Sequence, residues 1–167
     1  MTRILVLLFI AGLSLFGEDL ERIKKARLYA TKCTVSTTAA VPSCAIGVPA
    51  ATSSSIRFVL DAIVVNTPAS GVVFGFGGTL PTTTDITANT VKRNTTDDPI
   101  AKVYSTPNSS DETKTLSFGV TASTDKTFDM TGTVLTSISG QRVAKVSGAS
   151  AVTGTSTFTF LWAEMTF

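Results

Sequence analysis

Thr157-Phe158-Thr159-Phe160-Leu161-Trp162-Ala163-Glu164-Met165-Thr166-Phe167 is the most apolar strand-like stretch of the chain outside its N-terminus. Its aromatic and β-branched residues favour a pleated, extended backbone. Apolar side chains occupy both alternating faces, so a strand here needs cover on two sides. That calls for a central place in a sheet or insertion into a neighbouring molecule.

Working back along the chain, other segments alternate with period two. In residues 56–65, Ile56, Phe58, Leu60, Ala62 and Val64 fall on one face and Arg57 and Asp61 on the other. The turn-forming run Asn66-Thr67-Pro68-Ala69-Ser70-Gly71 leads into Val72-Val73-Phe74-Gly75-Phe76, a second strand expected antiparallel to the first. Leu116, Phe118, Val120 and Ala122 alternate, Asp125-Lys126 turns, and Phe128, Met130, Gly132 and Val134 alternate back, which predicts a hairpin. Residues 100–105 predict a short edge strand and residues 142–147 another. Residues 34–54, with Pro42 and Pro49, read as an irregular connector. The expected fold is mainly β with an N-terminal α-helix: an antiparallel β-sandwich or curled sheet of about seven strands. The predicted division is a helical segment at 1–33 and a globular β domain at 34–167.

Of the 167 residues, 43% are hydrophobic and 16% charged, a composition that supports a packed core. The net charge is only +2, and tyrosine and tryptophan are too few to build a stacking platform, so nucleic acid is not an expected partner. Residues 1–33 carry six Lys/Arg against three Asp/Glu, which leaves the β part near neutral. Histidine is absent, which removes the commonest general base and metal ligand. The loop acids Asp85, Asp97, Asp98, Asp111, Glu112, Asp125 and Asp129 have no EF-hand spacing. Gly71, Gly75, Gly77 and Gly78 are followed by Thr79-Leu80-Pro81 rather than by a Lys-Ser/Thr pair and a helix, so they read as strand and bulge, not as a nucleotide loop. No catalytic, cofactor-binding or metal-binding residues are predicted. A secreted hydrolase acting through loop carboxylates ranks last among the readings.

Cys33 and Cys44 lie eleven positions apart. In an exported protein they are expected to form a disulfide; the alternative is two separate buried thiols. Asn94-Thr95-Thr96 and Asn108-Ser109-Ser110 make Asn94 and Asn108 candidate glycosylation acceptors.

The N-terminus opens with Met1-Thr2-Arg3, then an apolar run from Ile4 to Phe16, then the charged Glu18-Asp19-Leu20-Glu21-Arg22-Ile23-Lys24-Lys25. It fits three readings. A secretory signal would end near Gly17. A membrane span is disfavoured, because thirteen helical residues rise only about 20 Å against a hydrocarbon core of about 30 Å. A retained helix would bury its apolar half against copies of itself. Leu13, Phe16, Leu20, Ile23, Ala26, Ala30 and Cys33 recur at steps of three or four, so the stripe crosses the cleavage point in phase. Glu18 with Arg22 and Glu21 with Lys25 are i,i+4 pairs that support such a helix. On this reading Ile4, Leu5, Leu8, Phe9, Leu13 and Phe16 are the assembly residues.

The layout of a hydrophobic half at 1–17, an amphipathic half at 18–32 and a β remainder with Cys33 and Cys44 resembles a type IV pilin or related pseudopilin. Leu5 stands where that family usually carries a glutamate. The resemblance implies a non-enzymatic structural subunit of an extracellular, cell-surface filament, with the β head exposed. It also implies copies of itself as partners, contact with the membrane during export or assembly, and no cofactor. The alternative expectation is a secreted β-sandwich binding or adhesion module from which residues 1–17 are removed.

Overall fold

The structure, a computed structural model, describes residues 26–49, 52, 56–77, 79–80, 84–106, 112–136 and 142–166. Ten strands follow one another among them: β1 (Arg27–Ala40), β2 (Ser43–Gly47), β3 (Ile56–Asn66), β4 (Gly71–Gly77), β5 (Val91–Lys92), β6 (Lys102–Ser105), β7 (Glu112–Gly119), β8 (Lys126–Leu135), β9 (Val143–Gly148) and β10 (Val152–Thr166). A single 3-10 turn, Thr87–Asn89, precedes β5. The strands form two five-stranded antiparallel sheets, β5-β1-β10-β3-β8 and β6-β2-β9-β4-β7, packed as a sandwich.

The pairings are nested. β1 pairs with β10, β2 with β9, β3 with β8 and β4 with β7, each antiparallel. The chain is thus one long antiparallel ribbon rolled upon itself, a jelly roll. Residues 84–105 form an excursion near the apex of the ribbon, between β4 and β7. They return to the far side of the sandwich, where β5 adds to β1 and β6 adds to β2.

The terminal stretch is the centre of the first sheet. β10 lies between β1 and β3 and turns Ser156, Phe158, Phe160, Trp162 and Glu164 inward, all buried. The partner sheet meets them with Val72, Phe74, Ile46, Val146 and Val103. Ser156 is tolerated in this interior because its hydroxyl is 2.9 Å from that of buried Thr67. Tyr29 stacks on Trp162 with ring centroids 5.4 Å apart.

Several sequence expectations are corrected. Residues 27–33 are strand, not helix: Tyr29, Thr31, Cys33 and Val35 point inward while Lys32, Thr34 and Ser36 are exposed, a period of two. The three-and-four spacing of Ala26, Ala30 and Cys33 fitted a helix equally well, but pairing with β10 along the whole strand decides the conformation. Whatever the reading placed on residues 1–25 lies outside the described residues. The supposed connector at 34–54 contains the end of β1 and all of β2. The strands number ten rather than about seven, because β1, β2 and two-residue β5 fall in stretches read as helix, connector and loop.

The predicted hairpin at 116–134 does not form. β7 belongs to the sheet of β4 and β8 to the sheet of β3, so residues 120–125 arch from one sheet to the other. Likewise β3 and β4 lie in different sheets instead of pairing with each other. Local alternation specifies strands but cannot say whether two of them pair edge to edge or stack face to face. The predicted single face of β3 also breaks. Phe58 and Leu60 are buried, then Ile63 and Val65, because a bulge at Asp61 shifts the phase against both neighbours. Opposite it, β8 carries extra residues around Gly132, whose φ of +91° suits glycine.

Candidate functional site

The two cysteines are brought together. Cys33 on β1 and Cys44 on β2 are disulfide-bonded with Cα atoms 6.4 Å apart, tying one sheet to the other through the core. Asn94 is exposed on the excursion, and its side chain serves the sheet. Its Oδ1 accepts from the Leu28 amide at 2.6 Å and its Nδ2 donates to the Ala26 carbonyl at 2.7 Å. It thereby extends the β5–β1 ladder. Asn108 and the predicted assembly residues Ile4, Leu5, Leu8, Phe9, Leu13 and Phe16 lie outside the described residues.

The two sides of the sandwich differ. On the β1/β2 side the excursion adds β5 and β6 as the outermost strands, and a buried acid fixes it. Glu164 is fully buried, and its Oε1 accepts from the Ile100 and Ala101 amides at 2.9 Å each and from the Trp162 indole at 3.3 Å. Its Oε2 has no hydrogen-bond partner and faces Arg27 Nη2 at 3.8 Å. Burial pushes the Glu164 carboxyl above the usual carboxylate range, against the pull of those donors and of Arg27. Arg27 also reaches Asp97 at 3.4 Å, and the Tyr29 hydroxyl donates to the Asp97 carbonyl. The inward face of β10 thus ends in an anchor for the excursion.

The β7/β8 side carries no such addition among the described residues. Among the described residues β7 pairs only with β4 and β8 only with β3, so each sheet ends there on a free edge. Phe74, Phe118 and Phe128 form a ring cluster between them, with centroids 4.9–5.6 Å apart. Around it lies a groove of about 340 Å³ lined by Phe76, Leu116, Phe118, Phe128 and Met130, with Asp129 and threonines at the rim. Leu116 and Phe118 nevertheless remain 54% and 43% exposed. A free edge beside exposed apolar side chains is an invitation to pairing that soluble monomers usually block.

Two further depressions mark the surface. On the outer face of the first sheet, Leu28, Ala163, Val59 and Val134 are successive register partners across β1, β10, β3 and β8, an apolar row. Beside it is a shallow depression of about 250 Å³ lined also by Ala26, Leu161 and Met165. Near the excursion, Asp85, Thr87, Ala88, Asp98, Pro99 and Lys102 line a depression of about 550 Å³. Its acids are already engaged. Asp85 accepts from the Thr87 hydroxyl and amide and faces Lys102 at 3.6 Å; Asp98 faces Lys92 at 2.7 Å. Burial raises the Asp85 carboxyl, but the Thr87 hydrogen bonds and Lys102 bring it net below its ordinary value. Among the described residues no group of three or more Cys, Asp or Glu could hold a metal ion.

Sequence reasoning missed both the anchor and the groove. Glu164 was legible as the only acid in an otherwise apolar strand, a position that demands partners. The groove was hidden by the hairpin reading, which would have paired β7 with β8 and left no gap.

No family model and no curated protein matches this chain. Among solved structures, the T13 IBDV viral particle is similar at a TM-score of 0.26 and 10% identity, over 86% of this chain and 40% of that one. The T=1 particles derived from Infectious Bursal Virus are similar at a TM-score of 0.15 and 14% identity, again over 86% and 40%. This chain therefore spans less than half the length of either, and at these scores the likeness decides nothing about its fold or role.

Proposed function

We propose that this chain is a structural subunit of an extracellular homopolymer, a filament or pilus-like appendage. The jelly roll is its body and the N-terminal apolar segment its assembling element. The observation that supports this most is the contrast between the two sides of the sandwich. One carries an excursion pinned to Glu164, while on the other no further strand adds to β7 or β8 among the described residues and Leu116 and Phe118 are exposed. A strand edge beside exposed apolar side chains is suited to a partner strand. The disulfide between the sheets fits an oxidising, extracellular setting.

Protein isolated from its native source tests this by intact mass, light scattering and electron microscopy. The expected result is a chain that retains residues 1–17 and forms polymers of regular width. A mass beginning near Glu18 together with a monomer at high concentration overturns it in favour of a secreted binding module.

A further inference from the structure

We propose that the groove between β7 and β8 receives residues 4–16 of a second copy of this chain, laid along β7 as an added strand. This rests on the assembly reading above and supplies its acceptor site. Phe118 packs against Phe74 and Phe128 inside the sandwich, so the face of β7 that carries Leu116 and Phe118 is its inner face. Large apolar residues on an inner face are normally buried, yet these two are about half exposed. β7 is the last strand of the second sheet among the described residues, so nothing in that sheet flanks them on its outer side. Among the described residues β7 offers an unpaired edge of eight residues, whereas β8 is broken by the irregularity at Gly132.

Composition and length select the occupant. Residues 4–16 contain ten large apolar side chains and no charge. Extended, they span about 43 Å, against about 26 Å for the eight residues of β7. Ile4, Val6, Leu8 and Ile10 then fall on one face of the added strand and fill the groove. In this arrangement the segment is extended and not helical.

The assembly reading sets the source as a second copy. The segment joins the domain at Ala26, where β1 begins on the side of the excursion, while the groove lies on the opposite side, three strands away in the first sheet. Between them, six of the eight residues 18–25 are charged. Donor and acceptor on opposite sides make a head-to-tail contact. Such a contact propagates from copy to copy, as a filament where the rotation between copies does not close into a ring.

The test uses the full chain. One preparation carries Leu8→Cys and a second carries Met130→Cys, since Met130 lines the groove. Mixed and oxidised, they are expected to give a one-to-one disulfide-linked dimer. Lys32→Cys, exposed on the far outer face, should not replace Met130→Cys. Leu116→Asp is expected to raise the concentration needed for polymer at least tenfold while circular dichroism stays that of the folded domain. If polymers form but neither effect appears, the groove is not the acceptor and the assembly reading survives. If the full chain never polymerises, both fail. If a chain carrying both cysteines links only within itself at every dilution, the second copy is not the source.

Discussion

Replacing Glu164 with alanine is expected to destabilise the domain by about 2–4 kcal/mol at neutral pH. The carboxylate is fully buried, and one oxygen collects the Ile100 amide, the Ala101 amide and the Trp162 indole. Truncation leaves two amides without an acceptor, each worth about 1–3 kcal/mol when buried. The longer indole contact adds less. Removal of the acid also ends the cost of burying it, a cost visible in its raised titration, so the net falls in the lower part of the sum. For a domain of this size the melting temperature should drop by roughly 5–15 °C. Trp162 is the only tryptophan and stacks on Tyr29, so its fluorescence reports unfolding at the affected site. Urea titrations of the wild type and variant give the difference. A value below 1 kcal/mol would refute the claim that Glu164 pins the excursion to the sheet.

Glu164→Gln keeps an acceptor oxygen for the same donors but cannot titrate. Because the native carboxyl is raised, the folded protein holds a proton that the unfolded chain has released, so wild-type stability falls as pH rises from the ordinary carboxylate range through the native value. The Gln variant should lose that slope, and an unchanged slope in denaturation measured from pH 4 to 8 counts against the assignment. Converting both Cys33 and Cys44 to alanine should cost about 3 kcal/mol from the eleven-residue separation, read by thermal unfolding; a loss under 1 kcal/mol contradicts a native sheet-to-sheet link. Phe160→Ala, fully buried on the central strand, should cost about 3–5 kcal/mol in the same assay, and a loss under 1.5 kcal/mol would mean that β10 is not central.

The sequence by itself determined that this chain is mainly β. Alternation in residues 56–64, 116–122 and 128–134 and the strand-like run at 142–147 marked strands that exist, and the two-sided apolarity of residues 157–167 marked a strand covered on both faces. It also put Phe158, Phe160 and Trp162 in the core and Cys33 within reach of Cys44. These are local properties, set by which side chains repeat on which face. Tertiary structure alone decided the rest. Residues 27–33 carry a helix-compatible stripe and become strand because β10, more than a hundred residues away, offers a ladder. Phe118 and Phe128 look like hairpin partners and instead sit on different sheets, where their rings meet across an open groove. Glu164 sits in an apolar strand because amides from a loop over sixty residues earlier reach it. In a rolled ribbon nearly every decisive contact joins distant parts of the chain, and local patterning carries no information about which distant segment arrives.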